Sequence, residues 1–296
     1  MVGGNGRGAV FMILAMAAFS IEDVLYKSAV QTYPPGQALI LFGIMGLGLF
    51  AALSWVRGEV IWHPAISTRP MILRCVFELA GRLFYALALA TTTLAATSAI
   101  LQATPLVVSL GAVLFLGERV GWRRWGAMIV GFVGVLLVLR PTPGAFEPAA
   151  IFAVLGMIGF AGRDLATRAS PPAMSMAQLG SLGFAMLPLA GVVLMLAGGE
   201  APELPPVAIF WRLGAAAAVG VLAYGALTQA MRSGEVGVVT PFRYTRLAFA
   251  LILAVLVFGE RPDMLTLLGG AVIVASGLYT LVRSRGQRLA QPTDLG

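Results

Sequence analysis

Val113-Leu-Phe-Leu-Gly-Glu-Arg119 returns 142 residues later as Val255-Leu-Val-Phe-Gly-Glu-Arg261, with five identities in seven positions. At an offset of 141, Phe19, Asp23 and Lys27 fall on Phe160, Asp164 and Arg168. Two apolar stretches can align by chance, but a Gly-Glu-Arg closing both and charged residues at matched places make this a duplication. The chain reads as two copies of one unit.

Each copy holds five apolar runs. Runs bounded by proline, glycine and charge predict helices over about 9–30, 36–56, 70–91, 95–116, 121–140, 149–169, 174–197, 205–231, 236–258 and 264–282. With 59% hydrophobic and 11% charged residues, against about 25% charged in an ordinary soluble domain, a soluble protein is excluded. The expected fold is an all-α membrane protein of ten transmembrane helices. Because five is odd, the second copy enters the bilayer from the opposite side, and the copies form a 5+5 inverted-topology repeat. The repeat also argues against a cleaved leader at the N-terminus, since the first run has a counterpart in the sixth.

With the N-terminus inside, eleven of the 20 Lys and Arg residues fall on the cytoplasmic side, four outside and five within helices. That asymmetry predicts cytoplasmic termini, and the expected location is a bacterial inner membrane. The expected domains are a repeat over 8–142, a repeat over 148–285 and a cytoplasmic tail over 286–296. All five tryptophans (Trp55, Trp62, Trp122, Trp125 and Trp211) lie near predicted helix ends, where amphipathic rings favour the interface.

The net charge of +7 is dispersed in short loops without a basic stripe, so nucleic acid is not an expected partner. Cys75 is the only cysteine and His63 the only histidine, which argues against a disulfide and a zinc site. Gly3-Gly4-Asn5-Gly6 lacks the spacing and preceding strand of a phosphate loop. No nucleophile stands with a base and an orienting group. The sequence predicts no enzyme and no cofactor; its partners are the lipid bilayer and a small-molecule substrate, with monomer and homodimer both open.

The stretch Pro105 to Arg119, continued by Trp122-Arg-Arg-Trp-Gly-Ala-Met-Ile-Val-Gly-Phe-Val-Gly134, and its second copy from Leu251 through Gly277, resemble the EamA-type ten-helix members of the drug/metabolite transporter superfamily. The resemblance covers residues 8–285. It implies a central substrate cavity lined by helices 1, 3, 4, 6, 8 and 9, and alternating access without ATP. It further implies an amino acid, another metabolite, a vitamin or a drug as solute, often carried outward. The Gly-Glu-Arg ends are read structurally, the glycine ending or packing a helix and the Glu and Arg lying in the interface.

Candidate site residues are the polar ones inside apolar runs, since a charge there costs at least a few kcal/mol and faces a partner or a water-filled cavity. In the third run Arg74, Glu78, Arg82 and Tyr85 share one helical face. In the ninth, Arg243-Tyr244-Thr245-Arg246 follows Pro241. The fourth carries Ser98, Gln102, Pro105 and Ser109 on one face, and Tyr224 of the eighth stands at the repeat position of Arg82. The expected substrate-binding set is Glu78, Arg82, Tyr85, Gln102, Tyr224, Arg243, Tyr244 and Arg246, with Arg82 and Arg246 holding a carboxylate through their planar forks. The competing reading makes these packing groups: Glu78 paired with Arg74 or Arg82, and Arg243 or Arg246 neutralising Glu22, Asp23 or Glu78. Asp23 with Lys27, and Asp164 with Arg168, are i, i+4 pairs toward opposite faces, expected as gates or end anchors.

The leading functional expectation is amino-acid export. Uptake of a vitamin or nucleoside-like metabolite and efflux of a cationic drug are alternatives within transport; a channel or a membrane-embedded regulator is the alternative outside it.

Overall fold

The apolar runs are helical over their described parts in the computed structural model, which describes residues 2–61, 63–117, 121–139, 147–168, 174–233 and 239–289. The first repeat supplies α1 (Val2–Val30), α2 (Pro35–Val56), α3 (Arg69–Thr91), α4 (Leu94–Leu101), α5 (Thr104–Leu116) and α6 (Trp122–Leu139). The second supplies α7 (Ala150–Arg168), α8 (Met176–Gly198), α9 (Val207–Ser233), a 3₁₀ turn (Thr240–Tyr244), α10 (Thr245–Phe258) and α11 (Met264–Leu289). Among the described residues seven stretches are long and apolar enough to cross a membrane, counting α4–α5 as one and the 3₁₀ turn with α10 as another. Residues 125–139 and 264–279 form shorter apolar helices.

Two expected helices are broken. The run 95–116 is α4 and α5, meeting at Gln102 and Ala103. Pro105 has no amide to return to the Leu101 carbonyl, and Thr104 Oγ1 donates to that carbonyl instead, at 2.5 Å. The run 236–258 is interrupted too: Pro241 lies in the 3₁₀ turn, and Thr245 Oγ1 donates to the Phe242 carbonyl at 2.7 Å. Residues 236–238 of that run lie outside the described residues. The end helices outrun expectation, α1 beginning at Val2 and α11 continuing to Leu289.

The four most extensive helix pairings all join one repeat to the other: α1 with α9, α3 with α7, α2 with α8, and α6 with α11. Counting runs, first packs on eighth as sixth packs on third, while second, fourth and fifth meet their own counterparts. Exchange of the two copies leaves this pattern unchanged, as a two-fold relation requires. Facing glycines let the backbones approach. A methyl added to Gly159 would lie 2.5 Å from Gly81 Cα, one on Gly134 2.8 Å from the Gly269 carbonyl, and one on Gly36 2.8 Å from the Gly191 carbonyl.

Gly117 and Gly259 end their helices in the left-handed region, at φ 66° and 63°, with amides turned back on the equivalent carbonyls of Ala112 and Ala254. The glycine of the repeated motif is therefore a helix terminator. Glu118 and Arg119 of its first copy lie outside the described residues. Phe50, Leu106, Leu213 and Ile273 are among the side chains buried in the core, whereas Phe115, Leu196 and Leu256 point outward, fully three-quarters exposed. An apolar exterior of that kind is a lipid face.

Candidate substrate site

α3 carries its polar stripe into the contact with α7, where Glu78 becomes the hub. Its carboxylate is 1% exposed and is met by three guanidinium groups. Arg82 Nε donates at 3.1 Å, Arg163 Nη1 donates at 3.4 Å, and Arg74 Nη2 stands 3.8 Å away. Arg163 also pairs with Asp164 at 2.8 Å, and Arg82 Nη1 lies 3.7 Å from Glu22 Oε1. Arg74 is held further by Thr167 Oγ1 at 3.2 Å and the Leu179 carbonyl at 3.5 Å. Beside this network Arg246 Nη2 donates to Asp23 at 2.7 Å and to Tyr85 Oη at 3.4 Å. Aromatic faces cover the cations: Phe160 and Phe184 lie over Arg82, and Phe19 over Arg246. Within the low-dielectric interior such pairing is what makes buried charge tolerable.

Several expected partners are exchanged. Asp23 is bound by Arg246 and not by Lys27. Lys27 Nζ donates to the carbonyls of Leu89, at 3.0 Å, and Thr92 at the end of α3. The fork of an arginine on a facing helix outcompetes a lysine one turn away, and the ammonium finds two carbonyls freed by a helix end. Asp23 thus lies beside Tyr85, within the polar cluster. Asp164 is bound by its neighbour Arg163; the side chain of Arg168 lies outside the described residues. Gln102 Nε2 donates to the carbonyls of Tyr244, at 3.2 Å, and Arg243, at 3.4 Å, so the breaks in the fourth and ninth runs are joined to each other. The Tyr244 hydroxyl is buried without a partner among the described residues. Tyr224 packs edge-on against Phe50 at 5.9 Å, within electrostatic reach of Arg74 and Arg163. Ser109 returns to the Pro105 carbonyl at 2.9 Å.

Arg82 and Arg246 are therefore committed to protein carboxylates, and Arg243 is not. Its guanidinium is half-buried, makes no hydrogen bond or ion pair among the described residues, and lies within electrostatic reach of Asp164, Arg163 and Arg246. In this cluster Arg74, Arg82, Arg163, Arg243 and Arg246 face Glu22, Asp23, Glu78 and Asp164. One guanidinium is in surplus. The cluster is wettest at the α7 end, where Asp164 is 28% exposed, and nearly dry at the α1 end, where Asp23 is 4% exposed. A cavity of about 20 Å³ between Glu22, Arg82, Tyr85 and Leu89 holds no more than a water. Among the described residues no three His, Cys, Asp or Glu side chains could share a metal ion. The chemistry available is reversible ion pairing: an incoming anion can take the free fork and exchange partners with the acids.

The sequence reading missed Glu59 and Glu200 at helix ends, and it put Glu260 of the repeated motif in the interface without its partner on α4. All four glycines with positive φ among the described residues, Gly58, Gly117, Gly199 and Gly259, are followed by Glu. The Ser175 hydroxyl, at the N-cap of α8, donates to Glu59 at 2.5 Å. Glu200 accepts from the amides of Gly36 and Gln37 at the start of α2, at 3.1 and 3.3 Å. Glu260 accepts from Leu94 and Ala95 at the start of α4, at 2.7 and 3.0 Å. The recurring Gly-Glu was the available signal; its partners, in the other repeat, were not.

The EamA-like transporter family matches this sequence over residues 6–140 and again over 148–282. The chain is 29% identical over 281 residues to the S-adenosylmethionine uptake transporter of Rickettsia bellii, covering 93% of each. It is 27% identical to the riboflavin transporter of Rhizobium johnstonii, over 96% of this chain and 94% of that one. The pseudopaline exporter of Pseudomonas aeruginosa is 27% identical, over 91% and 94%. A solved crystal structure, 18% identical, superposes with a TM-score of 0.60 over 96% of this chain and 99% of its own. Matched twice by the family in one chain, the protein belongs to the EamA-like transporter family of the drug/metabolite transporter superfamily, membrane carriers of small metabolites.

Proposed function

We propose that this carrier moves an amino acid or amino-acid-derived metabolite by alternating access, with Arg243 binding the solute carboxylate. The observation that carries the reading is Arg243, partly buried and without a hydrogen bond or ion pair from its guanidinium among the described residues, in a cluster where five described guanidinium groups face four described carboxylates. An anionic solute would balance that charge, and a planar fork favours a carboxylate. One of the relatives named above takes up S-adenosylmethionine, which carries the carboxylate of methionine. The named relatives include both uptake and export proteins. A carrier without its own energy source follows the gradients, so an amino acid abundant in the cytoplasm moves outward.

The proposed body is ten spans: the seven apolar stretches, the two shorter apolar helices and α3, whose polar face is turned to the cluster. The repeats occupy 8–142 and 148–285, with both termini cytoplasmic. In a Cys75→Ala background, an impermeant thiol reagent applied outside should label Leu204→Cys, an exposed residue before α9, and spare the exposed Arg57→Cys. The reverse pattern would invert the orientation.

The solute is tested by counterflow in proteoliposomes with labelled amino acids, S-adenosylmethionine and riboflavin. Saturable exchange of carboxylate-bearing solutes is expected. Arg243→Ala should weaken their apparent affinity roughly 10- to 100-fold, the loss of a charge-assisted hydrogen bond of about 1.5–3 kcal/mol. Its melting temperature should stay near that of the parent, because the Arg243 guanidinium has no hydrogen-bond or ion-pair partner among the described residues to strand. Unchanged exchange in Arg243→Ala, or exchange of riboflavin alone, would refute the carboxylate site.

A further inference from the structure

Of the four described carboxylates in the cluster, Asp164 alone combines an open oxygen with access to water. Glu78 is enclosed by three guanidinium groups, and the side chains of Glu22 and Asp23 are 7% and 4% exposed. Asp164 is 28% exposed. Both contacts it receives, from Arg163 Nε at 3.0 Å and Arg163 Nη2 at 2.8 Å, go to Oδ1. Its Oδ2 accepts no hydrogen bond among the described residues, and a carboxylate has room for about four. Arg163 does not use up that capacity, because its Nη1 is turned to Glu78 at 3.4 Å and one cation serves two acids. Asp164 can take a second cation.

The facing elements bring two further groups within electrostatic reach of this carboxylate: Arg243 from the 3₁₀ turn and Tyr224 from α9. A fork without a partner would ordinarily close on the nearest open carboxylate, yet Arg243 and Asp164 make no ion pair among the described residues. Each is tethered elsewhere. Gln102 Nε2 holds the turn by the Arg243 and Tyr244 carbonyls, and Arg163 holds Asp164 from its own helix. What remains is one cation and one anion, both with hydrogen bonds to give, kept apart by the fold.

That arrangement suits a zwitterion better than a simple anion. In an α-amino acid the ammonium and the carboxylate hang on one carbon, so one small solute can donate to Asp164 and accept from Arg243 through charge-assisted bonds of about 2.7–2.9 Å. The Tyr224 hydroxyl is available to a further ammonium proton. A carboxylate without the amine would bring its negative charge toward Asp164 and return nothing for it.

From this arrangement we infer that Asp164 binds the α-ammonium of the solute and makes the carrier select amino acids over the corresponding 2-hydroxy acids. The assignment rests on the carboxylate site at Arg243 and supplies its counterpart. It makes Asp164 a solute contact, where the sequence suggested a gate or an end anchor.

The test is counterflow of labelled amino acids in proteoliposomes against two competitors of the same side chain: the 2-hydroxy acid, which lacks the ammonium, and the decarboxylated amine, which lacks the carboxylate. The unlabelled amino acid should compete at least about tenfold better than the hydroxy acid, since a site built to hydrogen-bond an amine penalises an analogue lacking it. Asp164→Asn keeps an oxygen for Arg163, which also retains Glu78, and should cut that preference at least about tenfold by weakening the amino acid alone. Asp164→Glu restores the charge and should restore most of the preference. In the wild-type protein, carbodiimide coupling at Asp164, located by mass spectrometry, should be slowed by the amino acid and the amine and not by the hydroxy acid. That measurement decides the matter if Asp164→Asn does not accumulate. Equal competition by amino acid and hydroxy acid, a preference that survives Asp164→Asn, or coupling that no amino acid slows would overturn the ammonium site and leave the carboxylate site standing. Competition by the amine with none by the hydroxy acid would do the reverse, and counterflow of riboflavin alone would end both.

Discussion

Glu78→Ala should yield little folded protein. The Glu78 side chain is the buried common partner of Arg74, Arg82 and Arg163, so its removal does not delete one ion pair but leaves three guanidinium groups facing one another. Arg163 retains Asp164 and Arg82 retains a 3.7 Å contact with Glu22. Arg74, only 3% exposed, retains a threonine hydroxyl and a carbonyl and no carboxylate. Stranding a buried charge costs about 3–5 kcal/mol, a large share of the stability of a typical fold. Glu78→Gln keeps an acceptor for Arg82 without the charge and should fall between. The measurement is the yield of monodisperse protein in mild detergent, followed by its melting temperature. A Glu78→Ala protein that melts like the parent but no longer transports would instead make Glu78 a solute contact.

What the sequence revealed and what it hid divide along one physical line. Periodicity, the duplication and the Gly-Glu-Arg ends are local signals, and they located the helical runs, the two-repeat plan and the glycine caps. Contacts between i and i+4 are also local, and the pairing of Arg82 with Glu78 was legible for that reason. The same rule failed for Asp23 and Lys27, where the true partner of Asp23 is 223 residues away. Spacing along one helix shows which side chains share a face, not what the facing helix offers them. The break before Pro105 had a visible cause, yet proline within a membrane helix is often absorbed without a break; here Thr104 takes up the freed Leu101 carbonyl, and Gln102 donates across to the carbonyls at the other break. Arg243 and Arg246 looked equivalent by depth and residue type. Only the fold separates the one bound to Asp23 from the one whose guanidinium has no hydrogen-bond or ion-pair partner among the described residues.

That separation gives the second large effect. Arg246→Ala should behave as a stability variant, unlike Arg243→Ala. Its guanidinium donates to an Asp23 carboxylate that is almost inaccessible to water, and it lies under Phe19 and beside Tyr85. Taking the arginine away leaves Asp23 charged and alone, at a cost of about 3–5 kcal/mol. Asp23→Asn alone strands Arg246 in turn. The two changes together remove both charges, so the double variant should be more stable than the sum of the single losses allows. A coupling energy on the order of 0.5–3 kcal/mol is the range for residues in direct contact. Melting temperatures of the four proteins give that cycle, and counterflow on the same samples gives the second readout. If Asp23 and Arg246 only brace the site, the double variant regains exchange along with stability. If exchange stays lost while stability returns, the pair itself opens and closes during transport. Single variants that melt like the parent would contradict the pairing and return Arg246 to the solute.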